Sequence, residues 1–532
     1  MAKPNHSNWL LVQVLIGIFL ALPSLFILSD LIGPYSETWE HLRNTVLINY
    51  IANSTILLVG VGLGTIFIGV GTAWLVAMCE FPGRNFLSWG LLLPLAMPTY
   101  IIAYAYTDLM DVLGPIQTGL RLAFDWEVGE YIFPPIRSIG GAIFVMSFVL
   151  YPYVYLLARV AFLNQSGSLI ETGRSLGLNS WQCFRKIALP IARPAIVAGL
   201  SLALMETLAD FGTVEYFGIS VFTTGIFRTW YGLDDLQTAS QLSAMLLLAV
   251  LALMMLERVS REKLRFYNPA TNLRTSKHRL SKTLGNFCFF LGLIPVCVGF
   301  LFPALRLLTL SVKDGLSPLN LDFLVLIWNT FSIATFASVL CLSLALLLVY
   351  GKRLASGKIS AAALRLATSG YAIPGTVIAI GVLMVLSFID NVTNIFISGS
   401  ILALLFAYTV RFIAISTQTI ESGLEQIRPN IDESSQILGA TSFRMIRSIH
   451  FPLIKGSMTT ASLLVFVDVL KELPATLILR PFDFNTLAVK TYELAGDERL
   501  ADAALPALTI VMAGIIPVIL LTKSLSKTGQ KL

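Results

Sequence analysis

Charge is scarce in this sequence. Only 13% of its 532 residues are Asp, Glu, Lys or Arg, while 56% are apolar. An ordinary soluble domain carries about twice that charged share. A soluble chain of this length could bury several cores but would still need a charged skin; here the skin must be lipid. Histidine is nearly absent: His6, His41, His278 and His450 are scattered, which argues against a histidine-based metal site or catalytic set. The five cysteines, Cys79, Cys183, Cys288, Cys297 and Cys341, show no Cys-x-x-Cys or Cys/His spacing and read as small buried hydrophobes. A phosphate loop is missing too. Gly357-Lys358 is followed by Ile359, and position 352, where the earlier glycine belongs, is Lys. The net charge of +6 forms no single basic patch and recurs between apolar stretches, so nucleic acid is not expected as a partner.

What the chain does have is long apolar runs. Runs of the length that crosses a hydrocarbon core as a helix lie at roughly 9 to 28, 54 to 78, 87 to 107, 140 to 163, 194 to 214 and 240 to 256. Six more lie at roughly 285 to 311, 328 to 350, 367 to 388, 397 to 417, 457 to 479 and 505 to 522. The first run follows Lys3 and is too long, without a small-residue cleavage site, to read as a signal peptide. Twelve spans put both termini on one side, and basic residues choose the side. Arg258, Arg261, Lys263, Arg265, Arg274, Lys277, Arg279 and Lys282 follow the sixth run, and Lys523, Lys527 and Lys531 follow the last. Lys352, Arg353, Lys358 and Arg365 share that side, whereas Asp30, Glu37, Glu40, Asp125, Glu127 and Glu130 fall opposite. Cytoplasmic N- and C-termini are therefore expected. The basic interval 257–284 divides the chain into a first half, 1–256, and a second half, 285–532.

The halves carry one loop in common. Glu171-Thr-Gly-Arg-Ser-Leu176-Gly177-Leu-Asn-Ser180-Trp181 matches Glu433-Ser-Ser-Gln-Ile-Leu438-Gly439-Ala-Thr-Ser442-Phe443 without a gap, 262 positions apart, and the match continues through Arg185, Ile187 and Pro190 to Arg447, Ile449 and Pro452. Local chemistry predicts a short helix capped by Ser168 or Asn430, three residues before the Glu. Gly177 or Gly439 stops it. A second helix is expected from Ser180 and Ser442, with Trp181 and Phe184, or Phe443 and Ile446, on one face. Pro190 and Pro452 mark the next span. Helices this short are marginal alone in water and must dock on something, either their own bundle or a partner.

These loops, about 165–190 and 427–452, resemble the Glu-Ala-Ala loop of ABC importer permeases, with small residues in place of the alanines. The resemblance covers the whole chain. It implies an all-α integral membrane protein of about twelve transmembrane helices in two pseudo-symmetric six-helix permease units. It also implies ATPase-coupling roles for Glu171, Gly177, Trp181, Glu433, Gly439 and Phe443. Two copies of a separate ABC ATPase would bind ATP and Mg, this chain binding no cofactor itself. A periplasmic or extracellular solute-binding protein and a bacterial inner-membrane location complete the expectation.

A further segment, from Glu206-Thr-Leu-Ala-Asp210-Phe-Gly to Phe222-Thr-Thr-Gly-Ile-Phe-Arg228-Thr-Trp230-Tyr-Gly232, is similar to ferric-iron importer permeases, which are typically fused two-unit chains. Thiamine importer permeases share the plan but resemble this segment less. On a helix rising about 1.5 Å per residue, Glu206 and Asp210 share one face in the middle and outer bilayer, and Asp468 and Glu472 repeat them 262 residues on. Carboxylates at that depth often mark an ion route, and hard oxygen ligands suit a hard metal ion. The four are expected to form an acidic constriction that iron passes transiently, no fixed metal site being assigned. The competing reading is structural, with Lys471 paired to Glu472 and Asp210 in a wet vestibule. Among other solutes, thiamine, polyamines or another small cation stay open. Pro94, Pro98 and Pro374 read as helix kinks. An ion-coupled secondary transporter also has twelve spans in two halves but has no use for duplicated coupling loops.

Overall fold

The computed structural model describes residues 6–163, 165, 167–262, 278–313, 321–354 and 357–530. Lys3, Lys263, Arg265, Arg274, Lys277 and Lys531 lie outside the described residues, as does most of the basic interval. Helix dominates, because in lipid every backbone N–H and C=O must find its partner within the protein. Among the described residues the one strand pairing is a two-residue parallel bridge of Cys79–Glu80 with His278–Arg279. Among the described residues, eleven helices are long and apolar enough to cross a membrane, or twelve when one bent pair counts as a span.

That bent pair is the expected third run. Arg84–Ala96 and Thr99–Phe124 meet at 93°, a far sharper break than a kink. Pro94 and Pro98 bracket the corner, and Met97 and Pro98 there are extended, since proline cannot continue the hydrogen-bond ladder. The second half repeats the device 276 residues later: Lys358–Ala367 gives way to a single 3-10 turn, Ser369–Ala372, and the span Gly375–Thr393 starts immediately after Pro374. The fifth and eleventh runs also end earlier than hydropathy suggests. Their helices stop at Ala209 and Leu470.

Two compact units result, neither of them one continuous stretch. The N-half unit comprises His41–Gly225, Leu248–Pro318 and Lys490–Leu532; the C-half unit comprises Met1–Glu40, Ile226–Leu247 and Leu319–Val489. In the N-half unit, Leu47–Met78 lies along Ile139–Leu163 through small residues. A Cβ on Gly60, Gly64 or Gly69 would overlap Ile143, Ser147 or Val154, and such close backbone approach is how helices associate in lipid. Tyr151, Tyr155 and Phe162 fill the core of this unit. The first span of the second half, beginning at Lys282, belongs here as well. Gly299 abuts Pro94 and the Phe148 carbonyl, Tyr106 Oη donates to the Val298 carbonyl at 2.8 Å, and Arg306 pairs with Asp108.

The C-half unit shows the reciprocal arrangement. Its frame is Leu321–Leu354 against Ile401–Glu425 and Phe451–Leu470, and the N-terminal span His6–Ser29 packs on Lys358–Ala367 and Gly375–Thr393. Gly17 meets the Ala363 carbonyl and Gly381 meets that of Pro23. The fully buried Gln13 donates to the carbonyls of Leu348 (3.2 Å) and Ser360 (3.0 Å) and accepts from Ser360 Oγ (2.7 Å). A carboxamide in a lipid-spanning helix is costly unless satisfied; this one fixes the register of the span.

Candidate coupling loops and solute path

Both repeated loops fold as two short helices. The first are Gly167–Ser175 and Pro429–Ile437, the second Ser180–Cys183 and Ser442–Met445. Ser168 and Asn430 are not the caps expected of them. Each lies inside its helix, which begins one residue earlier; at Pro429 the fixed φ already suits the first helical position. The stop signals hold. Gly177 (φ 84°) and Gly439 (φ 81°) are left-handed, and Leu178 N–H donates to the Gly173 carbonyl (3.1 Å) as Ala440 N–H does to Ser435 (2.9 Å), the wrapped end that lets a helix finish. A Cβ at either glycine would meet nothing within 4 Å; the demand is conformational. Asn179 Oδ1 accepts from Gln182 N–H (2.8 Å) and Gln182 Oε1 from Asn179 N–H (3.0 Å), a reciprocal cap.

Each second helix runs through a π turn, Phe184–Ala188 or Ile446–His450, into the next span. Pro190 and Pro452 explain it, since a wider turn absorbs the missing donor and the ring. Glu171 and Glu433 are exposed, as are Trp181 (66%), Phe443 (71%) and Leu438 (87%). Each loop therefore presents an apolar residue to water beside an acid.

The seats beneath the loops differ. Under the C-half loop, Asp432 accepts from Arg353 Nε at 2.7 Å, and its other oxygen shares a 2.8 Å hydrogen bond with His450 Nε2. Arg353 also donates to the carbonyls of Leu424 (2.7 Å) and Ile427 (3.2 Å), and the buried His450 ring stacks on Tyr350 at 5.6 Å. Burial would raise the Asp432 carboxyl, but the hydrogen bonds and charges of Arg353 and His450 outweigh it and hold the group below its ordinary value. At the aligned positions the N-half has Ile170, Ala188 and, by the 276-residue offset, Ala77 and Trp74. Trp74 packs on Phe162 (5.4 Å) and Phe184 (4.9 Å), and Gln165 Nε2 donates to the Ala188 carbonyl at 2.9 Å.

The intramembrane acids sit where the fifth and eleventh spans break. Asp210 accepts from Thr213 N–H (3.0 Å) and Oγ1 (3.0 Å), from Val214 N–H (3.2 Å) and from Thr99 Oγ1. It thus caps the short helix Gly212–Tyr216 and ties it to the corner of the third span. Glu472 does the same for Pro474–Leu479, accepting from Ala475 N–H (3.1 Å), Thr476 N–H (3.0 Å) and Thr476 Oγ1 (2.8 Å). Its partner at the span corner is a cation, Arg411 Nη1 at 2.8 Å. Gly375, the counterpart of Thr99, leaves the room; a Cβ there would overlap both charged groups. Lys471 pairs with Asp468 at 2.8 Å rather than with Glu472. Glu206 lies half-buried on the N-half helix. Glu206 and Asp210 belong to the N-half unit, Asp468 and Glu472 to the C-half unit.

The sequence profile of the binding-protein-dependent transport system inner membrane components matches residues 65–261 and again 337–527. The chain belongs to that family. As a permease it is similar along nearly its whole length to an Fe(3+)-transport system permease protein of Haemophilus influenzae, 28% identical across 97% of this chain and 98% of the relative. It is also similar to a putative ferric transport system permease protein of that organism, 23% identical across 89% and 77%. A molybdenum transport system permease protein of Escherichia coli is 32% identical over 28% of this chain and 62% of the relative. This permease is a multi-pass membrane protein of the ABC importer class, built of two family units in one chain.

Three features of the permease escaped the sequence reading. Arg411 was hidden as an ordinary residue of an apolar run, although a lone arginine inside a span signals a buried acid partner. The capping of Asp210 and Glu472 was readable in the Thr213 and Thr476 that follow them three and four positions on. The tyrosines beside Asp210 carry no local sequence signal, since Tyr216 and Tyr492 lie far from Tyr100 and Tyr104 in the chain.

Proposed function

We propose that this permease carries ferric iron, delivered by an external solute-binding protein and moved by alternating access that a separate ATPase drives. The observation that carries the reading is the likeness to a ferric permease through both units and essentially end to end, against a molybdenum relative aligned over one short stretch. Hard-oxygen groups at the span breaks support it chemically, since carboxylates suit a hard cation better than an oxyanion. Glu206, Asp210, Asp468 and Glu472 are the acids proposed to guide the ion by weak, transient contacts; Asp210 and Glu472 also anchor the short helices that follow the breaks. Two ATPase copies, with their ATP and Mg, dock on the exposed faces formed by Glu171, Gly177 and Trp181 and by Glu433, Gly439 and Phe443. Both termini are cytoplasmic, in a bacterial inner membrane.

Uptake of radiolabelled iron, thiamine and polyamine by cells with and without the gene tests the solute. Gene-dependent uptake of iron alone is expected; uptake of either organic cation instead would refute the ferric reading. Glu206→Gln with Asp468→Asn should cut iron uptake while the complex stays assembled and hydrolyses ATP. Glu171→Ala and Glu433→Ala should each weaken capture of the ATPase, and unimpaired transport with both loops deleted would sink the docking assignment.

A further inference from the structure

The N-half unit holds a cluster of phenols beside Asp210 that neither the capping role nor the carboxylate path uses. Tyr104 lies at its centre, 3% exposed, and its hydroxyl is enclosed without a hydrogen-bond partner. Its ring meets Tyr216 edge-on at 4.5 Å and Tyr100 at 5.7 Å. Tyr492 and Asp210 lie within electrostatic range of the same hydroxyl. Tyr216 Oη accepts from Arg137 Nη2 at 3.3 Å, and Arg137 is itself paired with Glu498 at 3.6 Å. A buried hydroxyl bonded to nothing calls for an explanation; phenylalanine would fill the space without that cost.

We propose that Tyr104, with the surrounding phenols and Asp210, forms a hard-oxygen transit site for a trivalent cation inside the N-half unit. The proposal rests on the ferric reading and deepens it. Phenol oxygens are hard donors, and neutral phenols are cheaper to keep in a membrane than a ring of carboxylates. A tyrosine that ligates gives one proton to water as its oxygen–metal bond forms, and takes one back as that bond breaks. Re-protonation therefore releases an ion that permanently charged ligands would trap. Asp210 contributes carboxyl oxygens, held in place by Thr99, Thr213 and Val214.

Tyr104→Phe removes only a hydroxyl that bonds to nothing, so folding and membrane insertion should be unaffected. In the full complex, iron uptake is expected to fall at least fivefold with protein level and basal ATP hydrolysis unchanged. Ferric citrate added to the purified permease in nanodiscs should give a phenolate-to-ferric charge-transfer absorption that Tyr104→Phe at least halves. Tyr151→Phe, which removes another enclosed and unbonded hydroxyl outside the cluster, should leave both readouts unchanged. Normal iron uptake by Tyr104→Phe, or an equal loss in Tyr151→Phe, overturns the site while leaving the ferric reading standing. Absence of iron uptake by the unaltered permease overturns both.

Discussion

The two repeated loops share one backbone but not one foundation. Both have the left-handed glycine, the π turn and the exposed aromatic, yet the N-half loop rests on Trp74, Phe162 and Phe184 and the C-half loop on Arg353, Asp432 and His450. The exposed features agree between the copies, and the undersides do not. The lesson is physical: a turn that needs a positive φ has few solutions, whereas a short helix can be fastened by dispersion or by charge. The two fastenings should fail differently.

The largest difference is expected from Arg353→Ala, which strips Asp432 of the guanidinium and takes a donor from the Leu424 and Ile427 carbonyls. A partly buried pair of this kind is worth about 2–3 kcal/mol, so amide exchange across 429–450 should accelerate about 30- to 150-fold while 167–190 is unchanged. An equal response in both loops would erase the distinction. Acid should act in the same direction. The folded Asp432 carboxyl lies below its ordinary value of about 3.9, so its stabilisation is complete above that value and disappears as pH falls through the lowered one. A nitroxide on Leu438 should gain mobility over that window, and one on Leu176 should not.

Next come the glycines, where the loops should agree. Valine at Gly177 or at Gly439 forces a β-branched residue to positive φ, at about 1–2 kcal/mol each, and a thermal-shift or exchange measurement should give matching losses. Smallest is Asn179→Ala, which removes the reciprocal cap from the N-half loop alone for about 1 kcal/mol. Thr441→Ala should cost less, because Thr441 Oγ1 accepts one long bond, 3.3 Å, from Arg444 N–H.

The sequence made the loops legible because their determinants are local: the glycine, the prolines and the Ser180 and Ser442 starts lie within a few residues of what they control. Span number was legible for the same reason, since hydropathy is a property of a window. The corner at Pro98 was visible as prolines but not as a near right angle, because the bend is set by what packs there. Ser168 and Asn430 misled because a capping residue three before a Glu fits two registers one residue apart. Arg411 with Glu472, Thr99 with Asp210 and the tyrosine cluster depend on positions far apart in the chain, which no local pattern encodes.

The placement of Gln13 bears on how the molecule is born. Its partner Ser360 lies 347 residues downstream, and at about 5–20 residues per second a ribosome needs roughly 20–70 s to supply it. Through that interval the first span sits in the bilayer with a carboxamide whose final acceptors do not yet exist. The C-half unit cannot close until Val489 has been made, although it begins with the first helix inserted. Moving the first span to a separately translated chain would replace that wait with a search in two dimensions.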